Sequence, residues 1–468
     1  MLLYLINPYN PMVSVVKSKQ NRWNRYTVWK PLGLLVVAAL TPTDWETEIF
    51  DENVERKDYS GLPVPDLIGI TAFTSQADRA YALAKEFKSR GVTVVMGGIH
   101  ATMCPEEASR YVDSIVTGEA EKVWADVLAD TATGRLKPLY SGTHGSLSKS
   151  PIPRHDLLAH GYRFGSLQTT RGCPLSCNFC SVTAFNGRHY RHRPIPDLIK
   201  EYALIREKLV LVVDDNFIGT RKEHIERTKN LLRAIIVSGI KKKWIAQVTL
   251  NFGDDEELLS LAAKAGCIGV FVGFESVSSA GLKEIHKQFN IRKLAGIKPA
   301  VKRIHRHGIS VVGSFIIGLD IDKKHVGKDI AFAAQLYGID ALNVMFLTPL
   351  PGTVLWEEMR SSHRIILNKY PGDWMYYTLT FPVARYNHLS WSEMIAEKDD
   401  CYRSFYSYGG ILRRIWANIL QLRNPLVTFV SNLWYRRNTL RLDREAYEMF
   451  DTKPGLVPQS QSDSHRRT

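Results

Sequence analysis

Short apolar runs alternate with amphipathic stretches through residues 1–125. Leu2–Ile6, Thr47–Phe50, Leu67–Thr71, Val92–Met96 and Ser114–Val116 are runs of the length and composition expected of strands. Gln76–Ser89 carries apolar residues at helical spacing, with Gly91 as its stop, and predicts a helix. Strand, helix, strand in this order predicts a doubly wound parallel sheet, whose ligands sit beyond the carboxyl ends of the strands. Three loops fall there: Asp51-Glu52-Asn53, Thr71–Ser75 and Gly97–Thr102. The paired glycines Gly97 and Gly98 allow a close approach of backbone to ligand.

Residues 126–160 lose the pattern. Thr131–Arg135, Ser141–Ser146 and Pro151-Ile-Pro mark turns, so this stretch is expected to be a connector. From Phe164 strand–helix units resume. Leu209–Asp214, Trp244–Thr249, Ile268–Phe274, Val311–Ile317 and Ala341–Phe346 predict strands; Lys222–Ile236, Asp255–Ala265 and Arg292–His307 predict helices between them. So long a run of βα units predicts a barrel over residues 161–355, with its chemistry at the carboxyl strand ends.

Residues 356–450 no longer alternate. Tyr370–Trp374 and Tyr376–Phe381 are aromatic-rich and suit a cap on the barrel. Gly410–Arg441 mixes leucine, isoleucine and tryptophan with arginine around Pro425, a pattern of two amphipathic helices. Such helices either pack on the barrel or lie in a membrane interface. Residues 451–468, rich in Ser, Gln and Arg, predict a disordered tail.

The 468 residues, 45% of them hydrophobic, suffice for two or three domains with real cores. No uncharged apolar run reaches the roughly 18 residues of a spanning helix, and Met1 leads into Leu-Leu-Tyr-Leu-Ile without a basic leader. The expected location is cytoplasmic, with peripheral contact at the inner membrane face if the basic helices meet lipid. The formal charge of +14 is weighted toward the C-terminus. No nucleic-acid motif accompanies it, so no nucleic-acid partner is expected.

Six cysteines complete the inventory. Cys104, Cys267 and Cys401 are isolated and read as small buried hydrophobes. Cys173, Cys177 and Cys180 share one loop, Arg-Gly-Cys-Pro-Leu-Ser-Cys-Asn-Phe-Cys, with C-x₃-C-x₂-C spacing. This is no disulfide framework, and it needs a reducing compartment. Four thiolates would close a structural zinc or an ordinary iron–sulfur cluster. Three can hold three irons of a [4Fe–4S] cube and leave the fourth iron open. The alternatives are three buried thiols or a zinc loop completed by a distant ligand.

The cysteine loop resembles that of the radical S-adenosylmethionine (SAM) enzymes. The resemblance implies a [4Fe–4S] cluster on Cys173, Cys177 and Cys180 that binds SAM at its open iron and cleaves it to a 5′-deoxyadenosyl radical. Phe179 matches the aromatic placed beside the adenine. Asp214, Asp215 and Asn216 match a position near the amino end of SAM, unless they cap the next helix. Gln247 to Asn251 end the following strand and could line the pocket. Glu275 matches an acidic residue at the ribose, unless it forms a salt bridge within the barrel. Gly313 and Gly318 match a glycine-spaced strand along which the adenosyl group lies. Leu347–Thr353 matches a rigid loop at the barrel mouth, and the family barrel is a partial (β/α)6.

The first half resembles the cobalamin-binding domain of one radical-SAM class. The matching stretches are Pro31–Leu34, Asp51–Glu55, Gly97–Thr102 and Gly118–Glu121, and Pro153–Leu158 resembles the segment that precedes the barrel. The cofactor contacts this implies are Thr71, Ser75, Gly97, Gly98, His100, Thr102, Gly118 and Glu119. The D-x-H-x-x-G motif that supplies a cobalt ligand is absent, and His100 reads better as a loop histidine than as a replacement. A domain that has lost its cobalamin is the alternative. The class implies methylation of an unactivated carbon in a lipid, isoprenoid, tetrapyrrole or other secondary metabolite. Its electron donor would resemble flavodoxin or ferredoxin. Radical cyclisation, oxidation or rearrangement, or a non-catalytic sensor, are the other readings.

Overall fold

The computed structural model describes residues 1–10 and 30–420, together with Phe429, Asn432, Leu433, Tyr435, Arg436 and Tyr447. The first unit runs β1 (Leu2–Asn7), α1 (Leu32–Leu40), β2 (Glu46–Asp51), β3 (Leu67–Thr71), α2 (Ala77–Ser89), β4 (Thr93–Gly97), α3 (Gly98–Met103), α4 (Pro105–Ala108), β5 (Ser114–Gly118), α5 (Trp124–Ala132) and β6 (Leu139–Gly142). All six strands are parallel, in the order β2-β1-β3-β4-β5-β6. Strand alternation sorts the side chains onto two faces. Tyr4 and Ile6 of β1 pack with Ala80, Leu83 and Phe87 of α2, whereas Leu3 and Leu5 pack with Leu34 and Ala38 of α1 and with Trp124 and Val127 of α5. Helices therefore cover both faces, as a parallel sheet requires. The strand order reverses between β1 and β3, and a ligand of such a sheet belongs at that switch point.

The stretch expected to be a connector, residues 126–160, differs from that reading. It contains most of α5, and β6 pairs with β5 from Ile115–Leu139 to Gly118–Gly142. Leu-Tyr-Ser-Gly is too short, and too closely flanked by turn residues, for its period to show in sequence.

The second unit runs β7 (Gly165–Leu167), β8 (Thr170–Arg171), α6 (Ser181–Asn186), β9 (Arg191–His192), α7 (Ile195–Leu204), β10 (Leu209–Val212), α8 (Lys222–Val237), β11 (Lys243–Val248), α9 (Glu256–Lys264), β12 (Cys267–Glu275), α10 (Ser279–Glu284), α11 (Gln288–Ile291), α12 (Ile297–Arg306), β13 (Ser310–Ile317), α13 (Val326–Tyr337) and β14 (Ala341–Phe346). Its parallel sheet has the order β14-β13-β12-β11-β10-β7. Each strand lies beside its predecessor, the progression of an open six-unit (β/α) barrel. The short antiparallel pair β8–β9 carries the cysteine loop between its arms.

The described helices that follow include α14 (Val354–Ser361), α15 (Trp391–Phe405) and α16 (Tyr408–Leu420). The α15 helix closes the open edge of the sheet. The hydroxyls of its Tyr402 and of Tyr406, the residue that caps it, accept from the backbone N–H groups of Val344 and Leu342 on β14, at 2.9 and 2.8 Å. Of the second of the two helices predicted in 410–441 only Phe429, Asn432, Leu433, Tyr435 and Arg436 are among the described residues, and the 451–468 tail lies outside them. Among the described residues no helix is long and apolar enough to cross a membrane.

Candidate active site

The cysteine loop is tied down at several points. At its base Gly172 N–H donates to Asp215 Oδ2 at 2.8 Å, and Asn186 Nδ2 donates to the same oxygen at 2.9 Å. Cys173 N–H donates to Gly187 O at 3.2 Å. In the middle, Asn178 Nδ2 donates to Glu284 O of α10, and Asn178 O accepts from Leu355 N–H of α14. These bonds bring three thiols to the mouth of the barrel, with Phe179 packed against the core. Cys177 is buried, and Cys173 and Cys180 are half-buried. Burial pushes the thiols of Cys173 and Cys177 up to about 11, each raised further by neighbouring cysteines and lowered by Lys287. Among the described residues no three His, Cys, Asp or Glu side chains form a ready-made metal cage. The donor set is nonetheless sulfur only, held on one anchored loop beside a cation, and it fits a cluster whose irons would deprotonate the thiols.

Lys287 was not legible in sequence. It lies between α10 and α11, and its Nζ donates to Glu275 Oε1 at 2.9 Å. Burial would lower its basicity, but Glu275 and the sulfurs of Cys177 and Cys180 outweigh this and hold it above its usual value. Glu275 ends β12 with φ +67°, in the left-handed region, where the β12–β13 register shifts. A strained, buried carboxylate at a strand end is a common mark of a binding position. It forms the salt bridge that the sequence left as its alternative, with Lys287.

Asp214 and Asp215 are both engaged. The carboxylate of Asp214 accepts from the N–H and hydroxyl groups of Thr169 and Thr170, four bonds of 2.5 to 3.1 Å, and burial raises its pKa. It welds the end of β10 to the segment that enters the cysteine loop. Asp215, pushed up to about 6 chiefly by burial, anchors the loop as described. Asn216 is buried and exchanges bonds of 3.4 Å with Thr249. Gly313 and Gly318 lie in close packing. A Cβ on Gly313 would lie 2.5 Å from Ile339 Cδ1, and one on Gly318 would lie 2.8 Å from Met394 Cε. At both positions the missing side chain makes room for the protein's own packing.

On the first unit Thr71, Gly97, Gly98, Thr102, Gly118 and Glu119 gather at the carboxyl ends of β3, β4 and β5, with Ser75 buried at the entry to α2. Thr102 Oγ1 donates to Gly98 O and accepts from Gly118 N–H. Gly98 has φ +86°, and a Cβ there would meet Thr71 Oγ1 at 2.5 Å, so β3 and β4 can close only on glycine. This cradle borders α6, the helix that follows Cys180. His100 is fully buried. Its Nε2 lies 2.8 Å from the Tyr81 hydroxyl, and its ring stands edge-on to Trp374. It packs between Tyr81 and Trp374.

Glu119 does not face the cradle either. Its Oε1 lies 2.7 Å from Arg191 Nη1 and 3.3 Å from Arg171 Nη1, and Arg171 Nη2 lies 2.6 Å from Glu121 Oε1. Burial would raise the Glu119 carboxyl, but the two arginines hold it below the usual range. This ion cluster bolts the first unit to β8 and β9, the arms of the cysteine loop. Arg171, two residues before Cys173, was visible in sequence as a charge beside the motif; its partner 50 residues away was not.

Comparison with known proteins agrees with this layout. The sequence model of the Radical SAM superfamily matches residues 167–333, and that of the B12 binding domain matches residues 22–128. The bacteriochlorophyllide d C-12(1)-methyltransferase of Chlorobaculum tepidum is 28% identical over 433 residues, 89% of this chain and 90% of that protein. An uncharacterized methyltransferase of Pyrococcus horikoshii is 30% identical over 423 residues, 81% of this chain and 88% of that one. The radical SAM methyltransferase TsrM of Kitasatospora setae, solved with cobalamin and a [4Fe–4S] cluster, shares the fold at a TM-score of 0.64 and 17% identity, over 96% of this chain and 99% of that one. The cofactors that accompany the two matched domains are a [4Fe–4S] cluster, SAM and cobalamin. A B12-type sheet bolted to the arms of a three-cysteine loop, which itself crowns a six-strand open barrel, is thus explained by descent: the chain belongs to the radical SAM superfamily, among its cobalamin-binding members.

Proposed function

We propose that this chain catalyses methyl transfer to an unactivated carbon of a hydrophobic small molecule, with a tetrapyrrole, isoprenoid or lipid as the substrate class. The observation that carries the reading is the border between the two units. The glycine cradle at the ends of β3 to β5 adjoins α6, and the Glu119–Arg191 and Glu121–Arg171 ion pairs fix it against the cysteine loop. A methyl carrier and a radical source must act on one substrate atom, and rigid apposition is what such a reaction asks of a protein. The name of the Chlorobaculum relative supports a large ring substrate.

In this reading Cys173, Cys177 and Cys180 hold the cluster, with Phe179 beside its ligand. Asp215, through Gly172 and Asn186, fixes the loop that carries them, and Asp214 fixes the strand end beneath. Lys287 and Glu275 offer opposite charges at the barrel mouth: the cation suits a carboxylate, and the anion suits hydroxyl or ammonium donors. Thr71, Ser75, Gly97, Gly98, Thr102 and Gly118 shape the cobalamin side. The bound cofactors supply the radical and the methyl group; the chain supplies orientation and exclusion of water. An external one-electron donor of the flavodoxin or ferredoxin kind completes the system.

The test is anaerobic incubation of the reconstituted protein with SAM, cobalamin and a reductant, followed by mass analysis of the SAM-derived products. Methyl transfer predicts S-adenosylhomocysteine together with 5′-deoxyadenosine. 5′-Deoxyadenosine alone, with candidate substrate present, would overturn the methyl-transfer reading.

A further inference from the structure

Three helices on the outer face of the barrel build a surface that the chemistry above does not use. Lys298 and Lys302 stand one turn apart on α12. Phe332 and Leu336 stand one turn apart on α13 and are 69% and 49% exposed. Arg413 of α16 reaches the same place, its Nη1 3.5 Å from Gln335 Oε1. Together with His305, Tyr337 and Gly338 these residues line an open groove of about 510 Å³. No carboxylate is among its lining residues. On α16 itself Leu412, Trp416 and Ile419 form an apolar stripe and are 65%, 63% and 45% exposed.

Large side chains left this exposed on helices linked by the Arg413–Gln335 bond mark a contact surface rather than ordinary scatter. This surface is flanked by cations on two sides. Apolar side chains that can enter an acyl layer, beside ammonium and guanidinium groups at headgroup level, match the chemistry of an anionic bilayer surface. We infer that the α12–α13–α16 face docks this enzyme on an anionic lipid surface, with lipid phosphates in the groove between Lys298, Lys302 and Arg413, and with Phe332, Leu336 and Trp416 in the acyl boundary. The surface lies on helices outside the barrel, so the inference stands apart from the assignment of methyl transfer.

The test is co-sedimentation of the full-length protein with vesicles of phosphatidylcholine, with and without phosphatidylglycerol. Pelleting is expected only with phosphatidylglycerol and at low salt. Each basic residue near such a surface adds on the order of 1 kcal/mol, so K298E/K302E should weaken binding at least about tenfold. F332S/W416S should abolish it. Both variants change exposed positions, so the melting temperature and SAM cleavage should stay at wild-type values. Absence of pelleting with phosphatidylglycerol at low salt would overturn the inference, as would equal binding to neutral vesicles or indifference to K298E/K302E. A dimer in light scattering that F332S/W416S dissolves would reassign the face to self-association, and retention on duplex DNA in place of vesicles would reassign it to nucleic acid.

Discussion

Arg171, two residues ahead of Cys173, has its guanidinium 2.6 Å from Glu121 of the cobalamin-type unit and 3.3 Å from Glu119. The loop that would carry the cluster is therefore held by a charge from the neighbouring domain. Removing one partner of a buried pair costs about 3–5 kcal/mol, and Arg191 still neutralises Glu119, so Arg171→Met should fall at the lower end of that range. Iron content after reconstitution should fall with it. Glu119 is held below the usual carboxylate range, so the stability it contributes is present above that range and is lost as pH falls through its folded-state value. Acid melts of Arg171→Met should show a smaller loss on that limb than wild type.

The Lys287–Glu275 pair separates fold from binding. Lys287→Met strands a buried carboxylate and should destabilise by about 3–5 kcal/mol. Lys287→Met combined with Glu275→Gln removes both charges and should recover most of that stability. If the pair serves SAM, the double variant keeps its melting temperature, binds SAM weakly by calorimetry and cleaves little of it. A double variant with full SAM affinity would make the pair purely structural.

Asp215 is expected to act on the loop alone. Asp215→Ala frees the N–H of Gly172 and the amide of Asn186, two bonds worth about 1 kcal/mol each. Iron and sulfide per chain should drop, whereas Asp215→Asn, which keeps an acceptor oxygen, should retain most of both.

The edge closure by α15 gives a purely structural prediction. Tyr402→Phe and Tyr406→Phe each leave a buried backbone N–H of β14 without its acceptor, costing about 1–3 kcal/mol. Thermal melts should show both losses, with SAM products per folded molecule unchanged.

How far the sequence could be read follows from the range of the interactions involved. Leu67–Thr71 and Ala341–Phe346 form strands at the predicted bounds, because apolar β-branched runs carry their own signal. The cysteine loop was legible because its ligands lie within eight residues of one another. Leu139–Gly142 was not, since four residues between turns have no period to show. The surroundings of Asp214, Glu119 and Gly313 were not legible in sequence for a shared reason. Each is defined by partners far along the chain, Thr169 and Thr170 for the first, Arg171 and Arg191 for the second, Ile339 for the third, and no local pattern records them.

The central claim is that Cys173, Cys177 and Cys180 alone hold a four-iron cluster with one iron open to SAM. The most direct measurement is electron paramagnetic resonance of the reduced, reconstituted protein with iron quantitation, before and after addition of SAM, for wild type and the triple-alanine variant. The account predicts a [4Fe–4S]⁺ signal in wild type that SAM alters, and neither signal nor bound iron in the variant. A variant that keeps the four-iron signal, or a wild-type signal that SAM leaves unchanged, would contradict it.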